Sequence, residues 1–474
     1  MISWDLDFVV KAVHGKVLSR VSEKFEGLAT DTRVNINHKL FIALKGEQFD
    51  AHRFLAAAVK NGAAALVVHE QGPELQALAA QVTVVVVPDT LLALQSLAKA
   101  YRKTFVGRLV GIAGSNGKTT SKEFTAAVLS AGGLTHWSKG SFNNHWGVPF
   151  TLLATPKEAQ FAVVEMGMNH AGELALLTEI AQPDVAVVTY VGVEHIEHFG
   201  TLEKIAEAES EIYQHAGANA TRIYNLDNLY TQQMHAHHKK SFPHSPCLTF
   251  SSTTAELVDV SLQIAEVTVD ALSVTGRIGK QAGQARVPIF GSQNLTNLMV
   301  AASSALAVGM SPVAIWAALP LCRTVWGRNQ RLVTALGTQI LFDGYNSNPD
   351  SMAVLMDNLK LLHTSGRKFG VFAEMRELGH LSAQMHEETG YHVGKSDLHT
   401  IWFYGKFGAE FASGVRRAGY KGELQITDDF ETDFATKLVA QFRSDDIVVV
   451  KGSRGLHLER FVKAAGALDF AEKT

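Results

Sequence analysis

Cysteine is almost missing from this chain: Cys247 and Cys322, far apart, are the two among 474 residues. That excludes a disulfide scaffold and a cysteine zinc cluster, and it fits a reducing compartment. Charge is also scarce, at 19% of residues, and the formal net charge is only −3. Such a chain is not disordered or supercharged, and it has no basic excess for nucleic acid or anionic lipid. Long apolar runs are lacking as well. Stretches such as 63–68 and 82–87 fall far short of the ~20 residues that cross a bilayer. Asp5 and Asp7 interrupt the N-terminal segment where a secretion signal would be basic and then purely apolar. The expectation is a cytoplasmic chain that does not span a membrane and binds no nucleic acid, with a monomer as its expected state.

What is present is apolar and periodic. Hydrophobic residues make up 46% of the chain, and at roughly 150 residues per domain the length suggests about three domains. Short β-branched runs alternate with alanine- and leucine-rich helical stretches, the pattern of α/β layers. Residues 64–68 and 82–87 read as strands. Asp89 caps a helix carrying Leu91, Leu94, Leu97 and Ala98 that ends near Thr104. A boundary at 105–107 separates a first block, 1–107, from a second, 108–322. The second opens with a strand at 109–113 and a helix from Lys118, followed by strands at 161–165 and 185–190. A helix at 202–213, an antiparallel meander over 258–288 and a helix at 294–308 complete it. The third block, 323–474, has strands at 339–342, 368–372, 400–404 and 447–450 with helices between, which predicts a mostly parallel, doubly wound sheet. The histidine-rich stretch of His235, His237, His238 and His244 reads as a solvated loop rather than a metal site, since no carboxylate or cysteine interrupts it.

The strongest chemical signal is Gly114-Ser115-Asn116-Gly117-Lys118-Thr119-Thr120 between a strand and a helix. Glycines let backbone N–H groups converge on phosphate oxygens at the positive end of a helix. Lys118 would neutralise the outer phosphates and the Thr119 hydroxyl would ligate Mg²⁺. Only two residues separate Gly114 from Gly117, where the standard phosphate loop has four; the plain alternative is an ordinary turn. Glu165 and His195 each follow a strand end, where ligands of α/β sheets gather and where Mg²⁺ finds oxygen donors.

These segments resemble the ATP-dependent Mur ligases of peptidoglycan synthesis, nearly from end to end. The likeness is carried by the short phosphate loop and by residues 141–149, 165–170, 343–349, 374–379 and 451–454. Residues 30–33 and 40–46 resemble the family's uridine-sugar domain. The resemblance implies three domains: one for the UDP-sugar, a central phosphate-loop ATPase-like one, and a C-terminal Rossmann-like one. It points to the branch that joins D-alanyl-D-alanine to UDP-N-acetylmuramoyl-tripeptide through an acyl phosphate, using ATP and Mg²⁺.

By the same resemblance, Thr119, Glu165 and His195 hold metal, Asn297 reads adenine, and Arg328 and Asp343 reach the nucleotide. Asn143 and Asn144 line the muramoyl-peptide path, with turn formation as the structural alternative. Thr32, Arg33 and Lys45 meet the uridine diphosphate, and Tyr345, Asn348, Lys451, Ser453 and Arg454 face the peptide or dipeptide. Most relatives carry a lysine, carbamylated by CO₂, where this chain has Glu209. A glutamate supplies the required anion without modification; the alternative is a solvated acidic helix face shared with Glu203, Glu207 and Glu211. Gln293 stands where relatives often have histidine, and Gly344 replaces a common aspartate. Rival expectations are a relative that adds an amino acid or glutamate, or a nucleotide-driven switch without ligase chemistry.

Overall fold

The computed structural model describes residues 3–46, 49–70, 72–194, 196–468 and 470. The fold is mixed α/β, and the chain divides into two compact units. The first comprises Met1–Ala113, Gly132–Val187 and Glu211–Arg222; the second comprises Gly114–Ala131, Val188–Ser210 and Ile223–Thr474.

The first unit begins with a five-stranded sheet in the order Lys16–Ser19, Thr83–Val86, Ala65–Val68, Leu40–Ile42, Leu28–Ala29. Its first pair is antiparallel and the others are parallel. Phe41, Leu66, Val68 and Val84 pack with Leu55 and Leu75 to form its core. The predicted helix runs over Thr90–Arg102, and the Asp89 carboxylate accepts from the Leu92 N–H at 2.8 Å. That bond satisfies one of the donors a helix start leaves open. At the helix's other end the buried Tyr101 hydroxyl donates to the Thr155 carbonyl at 2.7 Å. In the same unit Phe161–Glu165 lies between Arg108–Ala113 and Thr135–Trp137, all parallel. Within them, residues 109–113 and 162–164 form continuous apolar runs because both faces are covered.

In the second unit the expected meander is present: Val260–Val267, Leu272–Ile278 and Gln281–Val287 pair antiparallel. The Asn294–Ala307 helix packs along the Lys118–Ser130 helix, and most residues of both are buried. The C-terminal sheet has six strands, in the order Gln330–Val333, Gln339–Asp343, Ile447–Lys451, Lys368–Ala373, Thr400–Tyr404, Glu423–Thr427. The first pair is antiparallel and the rest are parallel.

Alternation along these strands builds two cores, one per face. Leu341, Phe372, Phe403 and Val449 enter one; Phe342, Val371, Trp402 and Val450 enter the other. Successive side chains leave a strand on opposite faces, so a doubly covered sheet needs apolar residues throughout. Asp343 and Lys451 end neighbouring strands side by side, at the carboxyl edge where ligands of such sheets bind.

One expectation fails. The histidine-rich stretch is mostly helix, Leu229–Ser241, not loop. Asn228 caps it, accepting from the Thr231 N–H at 3.3 Å, and His235 and His238 lie against the buried Tyr224 ring at 5.1 and 5.6 Å. Aromatic packing and a good cap outweigh the polar composition that suggested a loop. Among the described residues there is no group of three or more histidine, cysteine or acidic side chains placed to hold a metal ion. Nor is any described helix long and apolar enough to cross a membrane.

Candidate active site

The phosphate loop takes its shape from two glycines. Gly114 and Gly117 have φ of +126° and +83°, in the region that favours glycine. A Cβ at Gly114 would overlap Thr189 Oγ1, and one at Gly117 would overlap Asn297 Oδ1. Thr189 Oγ1 donates to the Asn116 carbonyl at 2.5 Å, and the Ser115 N–H donates to the Tyr190 carbonyl at 2.7 Å. The Lys118–Ser130 helix has Gly117 at its N-cap and no side-chain cap there, so its first N–H groups face an anion's position.

Charge collects around this loop. Lys118 Nζ is 2.7 Å from Glu194 Oε2 and donates to the Ser115 carbonyl at 3.3 Å. The other Glu194 oxygen accepts from Asn346 Nδ2 at 3.3 Å. Asn348 caps the Pro349–Leu361 helix by accepting from the Ser351 N–H, and its Nδ2 donates to Asn116 Oδ1 at 2.9 Å. Lys451, 1% exposed, lies 2.5 Å from Asp343 and donates to the Asn346 carbonyl at 3.1 Å. A buried ion pair of this kind survives only with such additional hydrogen bonds. The Arg328 guanidinium sits 4.3 Å above the Tyr345 ring, and its buried Nε has no hydrogen-bond partner among the described residues.

A cavity of about 270 Å³ opens among these groups. Its walls carry Asn116, Gly117 and Thr120 from the loop, Asn297 from the helix beside it, and Arg328, Asp343 and Lys451 from the C-terminal sheet's edge. All seven are residues that the sequence nominated. Asn297 is engaged at both ends of its amide: Oδ1 accepts from Ser121 Oγ at 2.9 Å and Nδ2 donates to Asn294 Oδ1 at 3.0 Å. Tyr190 also lines the cavity, and burial raises its phenol above the ordinary value.

The first unit holds some of the further nominees. Glu165, 1% exposed at its strand end, accepts from Asn143 Nδ2 at 2.9 Å. Asn144 accepts from the Trp146 and Gly147 N–H groups at 3.1 and 3.0 Å, a turn-forming role. Lys45 lies 3.1 Å from Glu70 and 3.6 Å from Asp50, and these carboxylates hold its ammonium above the usual range. Arg33 pairs with Asp31 at 2.7 Å and draws that carboxyl down to about 2. The Thr32 carbonyl accepts from Asn61 Nδ2 at 2.9 Å.

In the second unit, Thr119 is buried in the first turn of the phosphate-loop helix. Glu209 is 3% exposed, whereas Glu203 and Glu207 on the same helix face solvent. It is therefore not part of a solvated acidic face. Ser453 Oγ accepts from the Arg376 N–H at 3.0 Å, and the Arg454 guanidinium lies 4.6 Å from the Trp326 ring. His195 lies outside the described residues.

Sequence reasoning did not nominate Glu194, Asn346 or Asp350. Glu194 could have been suspected from its place beside His195 at a strand end. Asp350, with Val354 four residues on, belongs to one face of the helix that Asn348 caps, and both line the cavity.

Three family models match the chain: the Mur ligase family catalytic domain over residues 25–102, the Mur ligase middle domain over 112–305, and the Mur ligase glutamate ligase domain over 327–454. A Bacillus subtilis protein named UDP-N-acetylmuramoyl-tripeptide–D-alanyl-D-alanine ligase is 33% identical, the match covering 98% of each chain. The crystal structure of MurF from Acinetobacter baumannii superimposes with a TM-score of 0.87 at 28% identity, over 98% of this chain and 99% of that one. The Thermotoga maritima MurF structure in complex with ADP gives 0.77 at 25% identity, over 93% and 97%. From the phosphate loop to the strand-end ion pair, and along nearly its whole length, the chain belongs to the Mur ligase family as an ATP-dependent amide ligase of the MurF type.

Proposed function

We propose that this protein joins D-alanyl-D-alanine to UDP-N-acetylmuramoyl-tripeptide at the expense of ATP, in the cytoplasm. The observation that carries the reading is the cavity where the phosphate loop, Asn297, Arg328, Asp343 and Lys451 converge. The names of the full-length relatives supply the two acceptor substrates. Residues 1–107 would hold the UDP-sugar, 108–322 the ATP phosphates, and 323–474 the rest of the nucleotide and the dipeptide. The spans of the three family models support that division.

A carboxylate is a poor electrophile at neutral pH. Its oxygen attacks the terminal phosphorus of ATP, the bond to ADP breaks, and an acyl phosphate results. The free amine of D-alanyl-D-alanine then attacks the carbonyl carbon and loses a proton. The tetrahedral species collapses with phosphate leaving on the C–O electron pair. Bringing three anions together requires positioning and charge neutralisation rather than a covalent enzyme group. Gly114–Thr120 grips the outer phosphates through backbone N–H groups and Lys118. Arg328 and Asp343 hold the sugar side, Asn143 and Asn144 flank the muramoyl peptide, and Thr32, Arg33 and Lys45 meet the uridine diphosphate. Tyr345, Asn348, Lys451, Ser453 and Arg454 border the dipeptide's approach.

The donor set suits magnesium. Thr119, Glu165 and Glu209 offer oxygen, the donor a hard cation prefers, and both carboxylates are almost fully buried. These residues would hold the ion, with His195 as the fourth candidate, and when bound it neutralises phosphate charge. Glu209 would supply the anion directly or through a water, so that no CO₂-derived group would be needed.

The test is ADP release with each substrate omitted in turn, followed by mass analysis of the product from tripeptides ending in meso-diaminopimelate or lysine. Strict dependence on tripeptide and dipeptide, with loss of activity in Lys118→Ala, is the expected result. ADP release that needs neither substrate would overturn the proposal.

A further inference from the structure

The wall of the cavity formed by the start of the Asn294–Ala307 helix has a hydrogen-bonding polarity that can be worked out atom by atom. Asn358, fully buried, accepts the Ser292 N–H on Oδ1 at 2.7 Å and donates from Nδ2 to the Val354 carbonyl at 2.9 Å. A backbone N–H can only donate and a carbonyl can only accept, so the Asn358 amide has one possible orientation. Its second Nδ2 hydrogen reaches Gln293 Oε1 at 2.7 Å. That bond in turn fixes Gln293, because the atom facing an N–H must be the carbonyl oxygen. Gln293 Nε2 is left on the other side. It makes no hydrogen bond among the described residues and is not sealed off, and Gln293 lines the cavity. The Gln293 amide is also seated closely over Gly291, φ +99°, where a Cβ would overlap it.

Gln293 lies four residues before Asn297, about 6 Å along the helix axis. Asn297 abuts Gly117, so Gln293 sits one turn farther from the phosphate-gripping corner. The cavity lining also carries Val354 and Leu355, apolar surface that suits a flat ring.

Resting on the reading of this cavity as the ATP site, we propose that Gln293 is a base-reading residue that offers a fixed N–H donor to a ring nitrogen of the purine. Asn358 is the positioning residue that sets this polarity. The cavity wall at this point demands an acceptor on the base and gives nothing to a ring that has a C–H or N–H there.

The experiment compares binding and KM for ATP and its 1-deaza, 3-deaza and 7-deaza analogues in the wild-type protein and in Gln293→Ala. In the wild type, one analogue is expected to bind about tenfold more weakly than ATP. In Gln293→Ala, ATP weakens by a similar factor and that analogue loses nothing further, with the change falling on KM more than on kcat. Asn358→Asp presents only acceptors to Gln293, turns its amide over, and is expected to abolish the same discrimination. The inference is overturned if Gln293→Ala weakens ATP and all three analogues by a common factor, or weakens none of them. A wild-type protein that takes up no ATP would overturn the nucleotide reading itself, a separate and distinguishable failure.

Discussion

Replacing Glu194 by glutamine is expected to make this enzyme bind ATP more tightly. Lys118 and Glu194 side chains are only 14% and 12% exposed and lie 2.7 Å apart, so the phosphate-loop lysine is already neutralised by a carboxylate. ATP must displace that carboxylate or share the ammonium with it. Two unit anions about 6 Å apart, on either side of one ammonium, repel by about 3 kcal/mol at an effective dielectric near 20. Solvent and salt at the mouth of the cavity reduce this, leaving a net effect of about 1.4 kcal/mol, or tenfold. Glutamine keeps the shape and can accept from Asn346 Nδ2 as Glu194 does at 3.3 Å, so the substitution isolates the charge. The assay is equilibrium binding of a non-hydrolysable ATP analogue at two salt concentrations. Glu194→Gln should bind about tenfold more tightly at low salt, with the gain shrinking as salt rises. The gain should persist in the Lys118→Ala background, where the carboxylate still repels the phosphate with no ammonium between them. Weaker binding by Glu194→Gln would refute the reasoning, because it would mean that the carboxylate serves the nucleotide rather than competing with it.

Other perturbations test neighbouring parts. Gly117→Ala forces an alanine to φ +83° and drives a Cβ into the Asn297 amide that links Ser121 and Asn294. It should cost about 2–4 kcal/mol in urea unfolding and abolish ATP binding; an unchanged midpoint would count against the packing described. Glu209→Ala should stop turnover while sparing ATP binding, and the wild-type rate should not respond to removal of CO₂ and bicarbonate. Near-normal activity in the variant would remove Glu209 from the site. His386 is fully buried, its Nε2 accepting from the Met375 N–H at 2.9 Å and its Nδ1 facing the Ser382 carbonyl at 2.7 Å, and burial holds its pKa below the ordinary value. The unfolded chain takes up that proton near pH 6.5 and the folded one refuses it. The contribution is therefore present above pH ~6.5 and declines as pH falls toward the folded-state value. Urea midpoints measured from pH 7.5 to 5.5 should fall more steeply in the wild type than in His386→Gln, and parallel curves would refute the assignment.

Much of the chain was legible residue by residue. A strand, a glycine-cornered turn and a helix need only near neighbours in sequence, so the loop at Gly114–Thr120 could be read before any coordinates. The same holds for the Asp89 cap and for the apolar alternation that fills both faces of the C-terminal sheet. The histidine-rich helix was misread because its stability comes from Tyr224, a partner that periodicity does not reveal. Glu194 went unnoticed for a related reason: a lone acidic residue at a strand end says nothing until its cation is known.

What the order of residues determined by itself was the inventory of chemistry: a phosphate grip, strand-end carboxylates, and a parallel sheet with a ligand edge. Pairing was decided only in three dimensions. Lys118 meets Glu194 across 76 positions and Asn116 meets Asn348 across 232, because strand order and helix packing carry them together. The polarity of Gln293 likewise depends on Asn358, 65 positions away. Local backbone preferences act over a few residues, whereas hydrogen-bond partners of buried polar groups are set by whichever distant element closes over them.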